Sequence, residues 1–145
     1  MTRQESLQTL GELFASQTLA VLSTQKDGHP YASLVAFSFS QDLKQIYFLT
    51  QADTRKFNNL TACDRVALLV SSACNRSDDF SRALAVTALG RALPLEDKTP
   101  HIQDFMGRHP QLKEFAGFHH TVMVEVRVET YLLVSRFENV VEIKI

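Results

Sequence analysis

The chain has 145 residues, 45% of them hydrophobic and 21% charged, which suits one domain with a core of its own and hardly two. Its 15 basic and 16 acidic residues give a net charge of −1, without the basic excess expected of a partner of nucleic acid or of an anionic membrane. No apolar run is long enough for a membrane span, and the two cysteines and five histidines form neither a CxxC nor a metal-ligand spacing.

The N-terminal residues lead into an amphipathic segment rather than the apolar core of a signal peptide. With two unremarkable thiols, this points to a reducing cytoplasm. Leu7, Leu10 and Phe14, with Leu13 beside them, predict a short helix with one apolar stripe. Residues 19–24 form a compact apolar strand. Asp27-Gly28 then predicts a hairpin turn, because glycine takes positive φ freely.

The returning strand spans residues 31–40. Tyr31, Ser33, Val35, Phe37 and Phe39 share one face, which is bulky and suited to a core. Ala32, Leu34, Ala36, Ser38 and Ser40 share the other. That face is mostly small, open either to a flat ligand approaching the backbone or to a covering helix.

A turn near Gln41-Asp42 leads to a strand at 45–50. A helix follows at 54–63, capped by Asp53 or Thr54, with Phe57 and Leu60 toward the core. Arg55 and Lys56 fall in its first turn, where the positive end of the helix dipole disfavours each cation by roughly 0.3–1 kcal/mol. A bound anion reverses that sign, because free amides, a hydroxyl and two cations then converge on one phosphate-sized site. The alternative is that Asp53 offsets part of the charge and both side chains reach into water.

Residues 65–71 form an apolar strand, and 75–79 a polar loop with Asp78 and Asp79 solvated. A strand follows at 83–95, with Gly90 marking a bulge or bend. Residues 97–118 are helical, broken near Pro110. Val122, Val124, Val126 and Val128 then alternate with Glu125, Arg127 and Glu129. Residues 131–134 and 141–145 read as separate closing strands. His119 and His120 are adjacent and face opposite sides of a strand, so they do not share a metal. Cys63 and Cys74 read as packing residues. No triad or glycine-rich phosphate loop is present.

Six or seven strands joined by early hairpins predict antiparallel pairing and closure into a barrel. The expected fold class is mainly β (α+β), one domain over residues 1–145, with peripheral helices.

This order of elements resembles the FMN-binding split-barrel family, the relatives of pyridoxamine 5′-phosphate oxidase, along nearly the whole chain. The resemblance is carried by residues 19–24, the Asp27-Gly28-His29-Pro30 turn, the 31–39 strand, the 46–50 strand, Thr54-Arg55-Lys56 with Asn59-Leu60, and the 65–70 strand. It implies that Thr54, Arg55 and Lys56 hold the FMN phosphate and that Thr50 lies along the ribityl phosphate arm. It also implies that Ser33, Leu34, Val35 and Ala36 run under the isoalloxazine ring, and that the flavin sits at a homodimer interface.

The family's true oxidases carry a C-terminal arginine-bearing segment and basic residues in the second strand. Residues 31–40 hold no arginine or lysine, and no such segment follows the last strand here. A ring-contacting glutamine of those oxidases falls on Leu84 or Ala85. The expectation is therefore an FMN-binding oxidoreductase of unassigned substrate, with no catalytic acid or base named, rather than the vitamin oxidase. The alternative is a non-catalytic module that stores or senses flavin, deazaflavin or haem.

Overall fold

Asp27 and Gly28 both adopt positive φ, 54° and 77°. They form the two-residue loop of a tight hairpin, with Lys26 paired to His29 across it. This turn joins β1 (Leu19–Lys26) to β2 (His29–Phe39) in the computed structural model, which describes residues 1–145. A helix, α1 (Arg3–Ser16), precedes them. Its start carries a capping box: Thr2 Oγ1 accepts from the Glu5 amide at 3.1 Å, and the Glu5 carboxylate accepts from the Thr2 amide at 2.8 Å.

The remaining elements are β3 (Gln45–Gln51), α2 (Arg55–Ala62), β4 (Arg65–Ser71), α3 (Asp79–Arg82), β5 (Leu84–Pro94), α4 (Thr99–Arg108), a 3₁₀ turn (Pro110–Leu112), α5 (Lys113–Gly117), β6 (Thr121–Ser135) and β7 (Asn139–Lys144). The strands run β3-β2-β1-β4-β5-β6, and β3 also pairs with β6, so six antiparallel strands close a barrel. β7 adds outside the barrel along the C-terminal half of β6. No helix is long and apolar enough to cross a membrane.

The barrel interior is filled by alternate residues of every wall strand, among them Leu22, Phe37, Phe48, Leu68, Val86 and Val126. α1 adds Leu10, Leu13 and Phe14. Phe14 meets Phe37, Phe39 and Tyr131 edge-on at 5.4–5.8 Å. The buried Tyr131 hydroxyl donates to the Leu43 carbonyl at 2.8 Å. Of the bulky β2 face, Val35 and Phe37 are buried and Phe39 packs against the core. Tyr31 lies outside the cluster, because the hairpin end of β2 overhangs the barrel.

Two expectations are corrected. Residues 121–135 are one strand, not an alternating strand followed by a separate closing one. The register against β5 shifts between Leu89 and Gly90, so that Leu89 faces Thr130 and Gly90 faces Val128. This bulge leaves Glu129 over and reverses the alternation: Val124, Val126 and Val128 point inward before it, Tyr131 and Leu133 after it. Asp79 is not a solvated loop charge. Its carboxylate accepts from the amides of Cys74, Asn75 and Arg76 at 2.8–3.3 Å, folding the loop that leads into α3. The helical stretch at 97–118 breaks near Pro110 as expected, since proline cannot continue α4 and the chain restarts as a 3₁₀ turn leading into α5.

Candidate functional site: a split in the barrel wall

β2 pairs with β1 from His29 to Ala36, but its other edge meets β3 only at Phe37, Ser38 and Phe39. On its opposite edge β3 pairs with β6 throughout, from Gln45 opposite Arg127 to Gln51 opposite Thr121. The wall therefore splits between residues 29–36 of β2 and the end of β3. Along that stretch β2 presents backbone groups with no ladder partner.

A cavity of ≈220 Å³ lies in the split, lined by Leu34, Val35 and Ala36 of β2, Leu49 of β3, Lys56 of α2, Phe105 of α4, and Leu112 and Phe115 beyond it. Lys56 is its single charged group. Its ammonium has no ion-pair partner, and burial pushes its pKa below the ordinary lysine value.

The start of α2 is set by two threonines. Of the two capping candidates it is Thr54 that caps, its hydroxyl accepting from the Phe57 amide at 3.3 Å. Thr54 Oγ1 lies 2.9 Å from Thr50 Oγ1 and 2.9 Å from the Gln51 carbonyl, which Thr50 Oγ1 also reaches at 3.2 Å. Whichever hydroxyl donates to the other, both protons are engaged within this trio. The amides left open in the first turn are those of Arg55 and Lys56.

Arg55 and Lys56 do not face one cavity. Consecutive helical residues point about 100° apart. Arg55 is exposed and lies over the Tyr31 ring, 5.2 Å from its centre. It lines a separate cavity of ≈590 Å³ beside the β1–β2 hairpin, with Lys26, Asp27, His29, Pro30, Tyr31, Asn58 and Asn59.

The small β2 face divides. Leu34 is 64% exposed, whereas Ala36 packs against a second cluster formed by Tyr47, Leu49, Phe105, Ala116 and Met123. Val35 points into the barrel. Ser33 lies on the same face two residues earlier, and its hydroxyl is buried without a partner. The apolar cavity thus brings together Leu34, Val35, Ala36 and Lys56. Ser33, Thr50, Thr54 and Arg55 lie outside its lining.

The helical cover over the split is fixed by two residues that sequence reasoning passed over. Arg108 donates to the carbonyls of Phe37 (3.2 Å), Phe14 (3.2 Å) and Gln17 (2.8 Å), with its guanidinium over the Phe37 and Phe39 rings. His109 Nε2 donates to the Phe37 carbonyl at 2.6 Å, since a carbonyl only accepts. The signal available was their position just before Pro110, where the helix has to end. The remaining histidines are dispersed: His101 stacks on Tyr47 and His120 on Phe118. No group of three His, Cys, Asp or Glu side chains is placed to hold a metal ion.

The fold is similar to that of a haem-binding protein from Mycobacterium smegmatis, with a TM-score of 0.82 and 18% identity over 99% of this chain and 58% of that one. The chain therefore spans little more than half the length of that relative. HutZ, the haem storage protein from Vibrio cholerae, has a TM-score of 0.74 and 16% identity over 88% of this chain and 92% of its own. An FAD-binding protein from Mesorhizobium loti has a TM-score of 0.68 and 17% identity over 88% and 90%. No curated protein is significantly similar in sequence. The sequence matches the pyridoxamine 5′-phosphate oxidase family over residues 7–135, and the chain belongs to that family.

Proposed function

We propose that this chain binds a flavin nucleotide, with FMN as its core, in the split between β2 and β3, and acts as a flavin-dependent oxidoreductase. The observation that carries this reading is the shared cavity of residues 34–36 and Lys56: an apolar slot against an unpaired strand edge, with one half-buried, unpartnered cation. The residues fit the group. Leu34, Ala36, Leu49, Phe105 and Phe115 offer apolar contact to a ring. The free edge of β2 offers backbone donors and acceptors to its polar rim. The open amides of Arg55 and Lys56, with their side chains, suit a phosphate. Thr50 and Thr54 hold that turn in place.

When bound, the flavin supplies hydride or electron transfer, and the protein supplies placement and electrostatics. Lys56 is the single titratable side chain lining the slot, so the chain itself offers no carboxylate or imidazole as acid or base there. The substrate is left unassigned. Exposed Leu19, Leu69 and Leu89 on β1, β4 and β5 support a homodimer formed on that outer face, and two free thiols support a cytoplasmic setting.

The names of the M. smegmatis and V. cholerae relatives favour a second reading, a haem-holding module without turnover. One experiment separates the two. The purified protein is titrated with FMN and, in parallel, with haemin, and followed by absorbance and thermal shift. Saturable FMN binding with a raised melting temperature supports the flavin reading. A haem spectrum with no response to FMN overturns it.

A further inference from the structure

The second cavity shares no lining residue with the ring slot proposed above. It lies beside the same helix turn, and Arg55 joins it to the phosphate end of the proposed site. Its volume of ≈590 Å³ is within the range of about 300–1,000 Å³ typical of small-molecule pockets. Its lining differs in kind from that of the ring slot: Lys26, His29, Tyr31, Arg55 and Asn58, with Asp27 as the one carboxylate.

Two cations therefore face one anion, a positive balance at neutral pH. Arg55 rests on the Tyr31 ring, which holds the planar group at the boundary between helix and cavity. It forms no ion pair there, so its in-plane donors stay available. The Asn58 side-chain amide is likewise without a hydrogen-bond partner and can read a ribose or a base edge.

A phosphate docked on the open amides of Arg55 and Lys56 has its ring on the Lys56 side. The Arg55 side is then the direction in which a second phosphate continues. We propose that the hairpin cavity takes the adenosine phosphate half of a dinucleotide, so that the preferred ligand is FAD rather than FMN. This rests on the flavin reading above. Arg55 then bridges the two phosphates, Lys26 neutralises the second, and Asn58 faces the nucleoside. Asp27 opposes the anion and limits the affinity.

The test is to titrate the ligand-free protein with riboflavin, FMN and FAD, following flavin fluorescence. FAD is expected to bind about tenfold more tightly than FMN, as charge-assisted bonds to an added phosphate imply. Lys26→Ala and Asn58→Ala are each expected to lower FAD affinity about threefold or more and to leave FMN affinity within about twofold. Asp27→Asn should tighten FAD and leave FMN unchanged, a gain that loss of structure cannot produce. Asn tolerates the positive φ at that turn. FMN binding as tightly as FAD, or variants that weaken both alike, overturns this proposal and leaves the flavin reading standing. Binding of none of the three overturns both.

Discussion

The hydroxyls of Thr50 and Thr54 lie 2.9 Å apart and tie the last inward residue of β3 to the cap of α2. Thr50 is 2% exposed, so the link is buried at its strand end. The helix that presents Arg55 and Lys56 is thereby fixed to the barrel wall at the edge of the split. Thr54→Ala should cost about 1 kcal/mol of stability, as loss of a cap does. Thr50→Val should cost about 0.5–1.5 kcal/mol through the lost hydrogen bond. In urea unfolding the double variant should lose less than the two single losses together, because both changes break the same bond.

Removing the two cations separates binding from folding. Arg55→Ala with Lys56→Ala should weaken flavin binding by several kcal/mol, at roughly 1.5–3 kcal/mol for each charge-assisted bond. The empty protein should be as stable as before or slightly more so, since both side chains oppose the helix dipole. Calorimetric titration and thermal melts of the one variant check both halves, and unchanged affinity removes the phosphate anchor from α2.

Burial of Lys56 sets a pH dependence with opposite signs for the two states. Its lowered pKa means that the folded protein gives up this proton at a pH where the unfolded chain still holds it. Unfolding then takes up a proton, so the stability of the empty protein rises with pH through that window. Flavin phosphate binding needs the ammonium and should fall over the same window. Melts and titrations taken across alkaline pH, below the ordinary lysine pKa, should show the two trends running in opposite directions. Lys56→Met should remove this lysine's share of both.

Gly90 makes a close approach that a side chain prohibits. A Cβ at this position overlaps the Arg127 backbone carbonyl across the bulge. Gly90→Ala should destabilise the protein by about 2–3 kcal/mol, because backbone, not a flexible side chain, has to move. Denaturant unfolding measures this, and a neutral result means that the bulge relocates.

Arg108 holds three carbonyls belonging to α1, the segment after it, and β2. Arg108→Met keeps much of the apolar stem and removes the donors. It should cost about 3 kcal/mol, since the carbonyls lose a charged partner. The helical cover should loosen with it, and hydrogen exchange in α4 and α5 should rise more than in β4 and β5.

Much of this architecture was legible in the residues. Asp27-Gly28 allows hardly any turn but a tight hairpin, and Gly90 inside a strand signals a bulge or a bend. Arg55 and Lys56 in a helix's first turn are legible as an anomaly because dipole and charge conflict locally. What was hidden depends on distant partners. The strand through Thr121–Ser135 read as two, because alternation counts along one chain, while the extra residue is defined by β5 opposite. The parting of Arg55 and Lys56 into two cavities depends on which neighbours flank α2. The hold of Arg108 on the Phe37 carbonyl spans 71 positions and has no local signature.

An unzipped strand margin invites the backbone of another chain to add to it. Here that margin is the floor of the proposed ligand slot. A molecule lodged there shields the exposed ladder as well as meeting the lysine. Cofactor supply and resistance to clumping should therefore rise and fall together in this protein.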